Sequence, residues 1–163
     1  MKTVDYLHLD ASKVSDLIKG LQQLLADYQV YYTNLRGFHW NITGHGFFVL
    51  HSKFEEMYDD VAEKVDEIAE RILTLGGVPA NTFSEYLKTA QIKEISGVSC
   101  GKEALENILE TISILIKEER TLLSIASEAM DEGTVSLLSE YVKEQEKLIW
   151  MLVAYSNTDC KKC

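Results

Sequence analysis

The sequence has one proline, Pro79, in 163 residues. Long stretches are therefore free of the residue that most strongly breaks helices. No apolar run approaches the roughly 18 residues needed to span a bilayer. The opening MKTVDYLHLD lacks the apolar centre of a secretory signal. The expectation is a cytoplasmic protein with no membrane partner.

Cysteine is scarce, and its count is odd: Cys100, Cys160 and Cys163. That argues against a disulfide framework. Cys160 and Cys163 form a C-x-x-C in TDCKKC, but without the strand-to-helix context of a redox motif. Two thiols also fall short of the usual four ligands of structural zinc. An inert tail is expected there. Cys100 lies in a Gly/Ser-rich loop, where an exposed thiolate could meet oxidants, a soft metal or haem.

Positive charge is also short, with 16 Lys and Arg against 26 Asp and Glu, a net charge of −10. Such a body repels phosphate backbones and attracts cations. Lys2 precedes the first helix beside Asp5 and Asp10, and only Lys161 and Lys162 lie at the far end. Few phosphates can be neutralised, so DNA binding is not expected beyond what divalent ions could bridge.

The residues present spell helices. Val14, Leu17, Leu21, Leu24, Tyr28, Tyr31, Leu35 and Phe38 recur at helical spacing, after a candidate N-cap in Asp10. This predicts a first helix over 11–41. NITGHG supplies a turn, with Gly44 suited to the helix C-terminus. A second helix is predicted over 46–75, stopping at Gly76-Gly77 with Pro79 just beyond. Residues 78–100 form a crossover with a short helix capped by Thr82 or Ser84. A third long helix starts near Lys102 and ends near Asp131, before Gly133, and Thr134 opens a fourth. Two short loops and one long one mark an all-α four-helix bundle with a crossover. The expected organisation is one domain over 1–163, with the bundle at about 10–157 and short tails at 1–9 and 158–163. Tyr28, Tyr31 and Tyr32 read as core or interface aromatics.

His39, His51, Asp66 and Glu70 are all metal-ligand types. His51 and Asp66 are 15 residues apart on one predicted helix. At about 1.5 Å per residue that is roughly 22 Å, too far for one metal centre. At about 100° per residue they still return to within roughly 60° of one face. Two half-sets on one face that cannot meet point to a site shared by two chains around a two-fold axis. Glu55 follows His51 by one turn on the same face. Imidazole with carboxylate suits iron, manganese or zinc, and a mixed N/O set favours iron over calcium.

The segment FHWNITGHGFFVLHSKFEEMYDDVAEKVDEIAERILTLGGVPA resembles the Dps family, the mini-ferritins, in His39-Trp40, His51, Asp66, Glu70-Arg71 and Leu75-Gly76-Gly77. The resemblance implies a ferritin-like bundle and a ferroxidase that oxidises Fe(II), preferentially with hydrogen peroxide. It implies a ferric mineral stored in a hollow dodecamer and protection from oxidative stress. His39 and His51 would come from one subunit, and Asp66 and Glu70 from its two-fold mate. Glu55 falls where the family usually has Asp, and Trp40 would support the site. Zn2+ is a possible substitute for iron. Acidic residues near the start of the last helix would line an entry pore, with Asp131, Glu132, Glu140 and Glu144 as candidates. Conventional ferritins use Glu-x-x-His motifs inside one bundle, and no E-x-x-H occurs in this chain. Two alternatives stand beside this: a DNA-compacting protein, and a non-catalytic bundle whose metal serves assembly or zinc storage.

Overall fold

A computed structural model describes residues 3–157. A 3-10 turn, Thr3–Tyr6, precedes five helices: α1 (Ala11–Asn41), α2 (Phe47–Thr74), α3 (Phe83–Thr89), α4 (Gly101–Glu128) and α5 (Glu132–Ser156). The long helices pair as α1 with α2 and α4 with α5, while α1 also packs on α4 and carries α3 of the crossover. The described residues contain no strand. None of their helices is long and apolar enough to cross a membrane.

Burial follows the helical stripe. Val14, Leu17, Leu21, Leu24, Tyr28, Tyr31, Leu35 and Phe38 of α1 are each at most 3 % exposed. They meet Leu50, Phe54, Met57, Val61, Ile68 and Ile72 of α2 in one core. Each such side chain contributes about 1.5–3 kcal/mol when fully buried. Tyr32 is only partly buried and meets the Tyr58 ring edge-on at 6.0 Å.

The helix ends show which capping expectations hold. Asp10 caps α1 by accepting from the Ser12 amide at 2.9 Å. Thr82, rather than Ser84, caps α3: its hydroxyl accepts from the Glu85 amide and donates to the Glu85 carboxylate. At the end of α2, Gly76 takes φ 86°, with Gly77 N donating to Ile72 O and Gly76 N to Leu73 O. That satisfies carbonyls the helix leaves orphaned.

Three expectations need correction. Gly44 does not close α1. The helix ends at Asn41 with Ile42 as its cap, and Gly44 and Gly46 take positive φ inside the turn. The third long helix ends at Glu128, not near Asp131, because Met130 takes the left-handed position at φ 55°. The fourth opens at Glu132, not Thr134, because Asp131 is its N-cap and accepts from the Thr134 amide. Gly133 therefore lies inside the first turn of α5.

The crossover is held by polar side chains of α1. Gln22 donates to Val78 O and accepts from Ala80 N. Asp27 accepts from Ile92 N at 2.7 Å. Asn34 donates to Lys93 O and accepts from Ile95 N, both at 2.9 Å. Irregular backbone laid over a core needs such partners, since an unpaired buried amide costs about 1–3 kcal/mol.

Gly76 and Met130 hold the same left-handed position with different residue types. A left-handed L-residue costs about 1–2 kcal/mol. Gly76→Ala is expected to lower stability by about 1 kcal/mol and Met130→Gly to raise it by a similar amount. Thermal unfolding of the two variants checks the opposite signs.

Candidate metal centre

The turn after α1 brings His39 and His51 face to face. Their rings stack with centroids 3.7 Å apart and planes 19° apart. His39 Nδ1 donates to the His51 carbonyl at 2.7 Å, and His51 Nδ1 to the His39 carbonyl at 2.8 Å. The His39 carbonyl is free for this because Thr43 N, its partner in a longer helix, donates to Ser99 O instead. A carbonyl can only accept, so each Nδ1 must carry its proton. In the neutral ring that leaves Nε2 as a bare lone pair, the form that binds a metal. Tyr58 stands edge-on to His39 at 5.4 Å and Phe47 stacks on His51 at 4.9 Å. His39 is 7 % exposed. Two imidazoles fixed in this way could offer two nitrogens to a metal ion.

Glu55 is exposed one turn beyond His51. Its carboxylate accepts a long bond of 3.4 Å from the Tyr58 hydroxyl. Burial, then the charge of Glu55, raises the pKa of that phenol.

Asp66 and Glu70 are exposed on the same helix. α2 runs unbroken from Phe47 to Thr74, so His51 and Asp66 share one rod. The separation of roughly 22 Å follows directly from the helical rise. The protomer brings His39 and His51 together near one end of α2, with Glu55 one turn further on, and leaves Asp66 and Glu70 toward the other end. Among the described residues, no group of three or more His, Cys, Asp or Glu could hold a metal ion.

The acidic end is pinned in rotation by the next residue. Arg71 Nε donates to Thr134 Oγ1 at 2.8 Å, and its terminal nitrogen pairs with the Asp131 carboxylate. Gly133 makes room: a Cβ there would lie 3.0 Å from both terminal nitrogens. Pointing Arg71 into the α4–α5 corner turns Glu70 outward. The sequence reading missed this anchor; the signal was the Asp-x-x-Thr spacing at the start of α5.

The remaining candidates are dispersed. Trp40 is 63 % exposed, with the Arg36 guanidinium 4.5 Å from its ring centre. Asp131 is buried in its cap and ion pair. Glu132 and Glu140 are exposed, Glu140 pairing with Lys143, and Glu144 pairs with the buried Lys64. Burial tends to lower the Lys64 pKa, but the hydrogen bonds that its ammonium donates to Asp60 and Glu144 turn the net shift upward. Cys100 is exposed immediately before α4. Cys160, Cys163, Lys2, Lys161 and Lys162 lie outside the described residues.

The sequence matches the ferritin family, described as a ferritin-like domain, over residues 18–160. The DNA protection during starvation protein of Porphyromonas gingivalis is 52% identical over 95% of this chain and 98% of its own. This chain belongs to the Dps family. A Dps crystal structure from Vibrio cholerae O1 superposes with TM-score 0.89 at 50% identity, covering 90% of this chain and 92% of that one. That protein is described as a member of a broad superfamily of ferritin-like diiron-carboxylate proteins. A zinc-soaked Dps from Listeria innocua superposes at TM-score 0.82 and 29% identity, covering 85% and 94%. The crossover helix α3 and the absence of strands among the described residues agree with the ferritin-like Dps fold.

Asp131→Ala removes a helix cap and strands the Arg71 guanidinium. Losing a cap and one partner of a largely buried pair is expected to cost about 2–4 kcal/mol, read by chemical denaturation. A carboxylate serving only an entry pore would leave stability unchanged.

Proposed function

We propose that this Dps protein binds Fe(II) between two-fold-related subunits and oxidises it, preferentially with hydrogen peroxide. The ferric product is stored as mineral inside a dodecameric cage in the cytoplasm, which protects against oxidative stress. His39, His51 and Glu55 of one subunit face Asp66 and Glu70 of its mate. The observation that carries the reading is the mutually bonded imidazole pair, whose His51 member lies on the same rod as two exposed carboxylates that it cannot reach.

Geometry supports the two-fold pairing. Glu55, Asp59, Ala62, Asp66, Glu70 and Leu73 lie at i+3 or i+4 steps and are all exposed, forming one stripe of α2. Ala62 is near its midpoint. An antiparallel copy of α2 crossing there sets each imidazole end against an acidic end, and an isologous contact makes two equivalent sites. A small residue at the crossing lets the rods approach.

The chemistry is a matter of ligand type. Imidazole and carboxylate together accept both iron oxidation states, with carboxylate favouring the harder ferric ion. Two Fe(II) each give one electron to one peroxide, which consumes both reactants of hydroxyl-radical formation. Zinc suits the same donors and would occupy the site without redox change. Asp59, Asp60, Glu63 and Glu67 add negative charge along α2, a field that draws cations. Direct DNA binding lies outside this reading, because a body of net charge −10 repels the phosphate backbone.

Anaerobic Fe(II) loading followed by peroxide should give ferric absorbance at about two irons per peroxide. His51→Ala is expected to slow the reaction at least about tenfold. No ferric signal from the native protein would defeat the reading. Ala62→Arg touches no ligand and is expected to split the two-fold contact and abolish oxidation, with native mass and absorbance read together. At physiological salt and without divalent ions, the protein is expected not to retard duplex DNA in a gel.

A further inference from the structure

Three carboxyl groups lie inside the bundle, away from the metal ligands. Asp27 of α1 is fully buried, and Glu119 of α4 is fully buried beside Glu118. Glu119 is well provided for: Tyr28 Oη donates to it at 2.7 Å and Gln145 Nε2 at 2.7 Å. Burial outweighs these bonds and pushes its pKa up to about 7. Asp27 is also satisfied, accepting from Gln23 Nε2 and from the crossover amide of Ile92, each at 2.7 Å.

Glu118 differs. Both its oxygens are sealed from solvent and no donor reaches either. Its carboxyl meets that of Asp27. Two carboxylates have nothing to donate to each other, and two buried negative charges in contact without a cation are strongly unfavourable. A single proton resolves both difficulties. Asp27 already accepts from two N–H donors, so the shared proton sits on Glu118, whose O–H donates to it. The charges that act most on Glu118 are Asp27 from α1 and Glu119 from its own helix, both acidic. The crossover offers the Ile92 amide through Asp27, while the Lys93 and Glu94 side chains are exposed.

We propose that Asp27 and Glu118 share one proton and that this proton latches the crossover segment 90–95 onto the bundle. Asp27 is the hub, gripping the Ile92 amide on one side and the Glu118 acid on the other. Losing the proton sets two anions against each other, and the least costly relief is release of Ile92 with the adjoining turn. Asn34 then holds Lys93 and Ile95 alone.

The direction with pH follows from burial, which, with the neighbouring Asp27 charge, holds the Glu118 pKa up to about 8. The folded chain binds this proton more tightly than the unfolded one. The latch is therefore at full strength at low pH and is lost as pH rises through about 8.

Hydrogen exchange on the intact protein tests it. Protection factors for the amides of 92–95, corrected for base catalysis, are compared between about pH 6.5 and about pH 9. The native protein is expected to lose at least about tenfold in protection across that range. Glu118→Gln, whose amide donates to Asp27 at every pH, is expected to show none of that loss. Equal pH profiles for the two proteins would overturn the proposal. Infrared spectroscopy of the native protein gives a check that needs no variant. A protonated-carboxyl band should persist above about pH 7, where Glu119 gives up its proton, and vanish together with crossover protection at about pH 8; its absence at neutral pH would also overturn the proposal.

Discussion

The rigidity of one helix governs this structure. α2 runs from Phe47 to Thr74 without a break, so its two ligand-bearing ends are fixed on a common rod. Fifteen residues of helix between His51 and Asp66 set a distance of roughly 22 Å that no rotamer change can close. The same regularity keeps both ends on nearly one face. On the function we propose, a protomer built this way carries half a site at each end of an exposed stripe, and a second copy completes it.

What surrounds the rod serves to keep its ends in register. At one end, the α1–α2 turn lets two imidazoles exchange hydrogen bonds with each other's backbone, fixing ring orientation and tautomer together. At the other, Arg71 reaches across to Asp131 and Thr134, with Gly133 clearing its path. The anchors differ in chemistry and have the same effect: a side chain next to, or at, the ligand position is committed to the fold, so the ligand atoms face outward. Gln22, Asp27 and Asn34 extend the scheme by holding the crossover against α1.

Much of the bundle was legible in the sequence because hydrophobic periodicity is a local property. The stripe from Val14 to Phe38 and the Gly76-Gly77 stop each carry their signal within a few residues. The errors fell where a distant partner decides the matter. Gly133 read as a helix terminator, yet it is in α5 because Arg71, far away in sequence, needs the space. The Asp131 carboxylate caps α5 and pairs with that same arginine, a partner its sequence neighbours do not announce. Met130 in a left-handed conformation has no composition signal at all. The spacing of His51 and Asp66 pointed to a shared site, but the mutual imidazole–carbonyl bonds appear only when the turn is built. Asp27 and Glu118 carry no local signal of burial, since one lies on α1 and the other on α4.

The central claim is that each centre draws its imidazoles and its carboxylates from different chains. Complementation tests it most directly. One variant carries His39→Ala and His51→Ala, and the other Asp66→Ala and Glu70→Ala. Each alone should fail to oxidise Fe(II). Co-assembled mixed dimers should regain one intact centre of the two, about half the native rate per mixed dimer. Mixed dimers that remain as inactive as either parent would contradict the account.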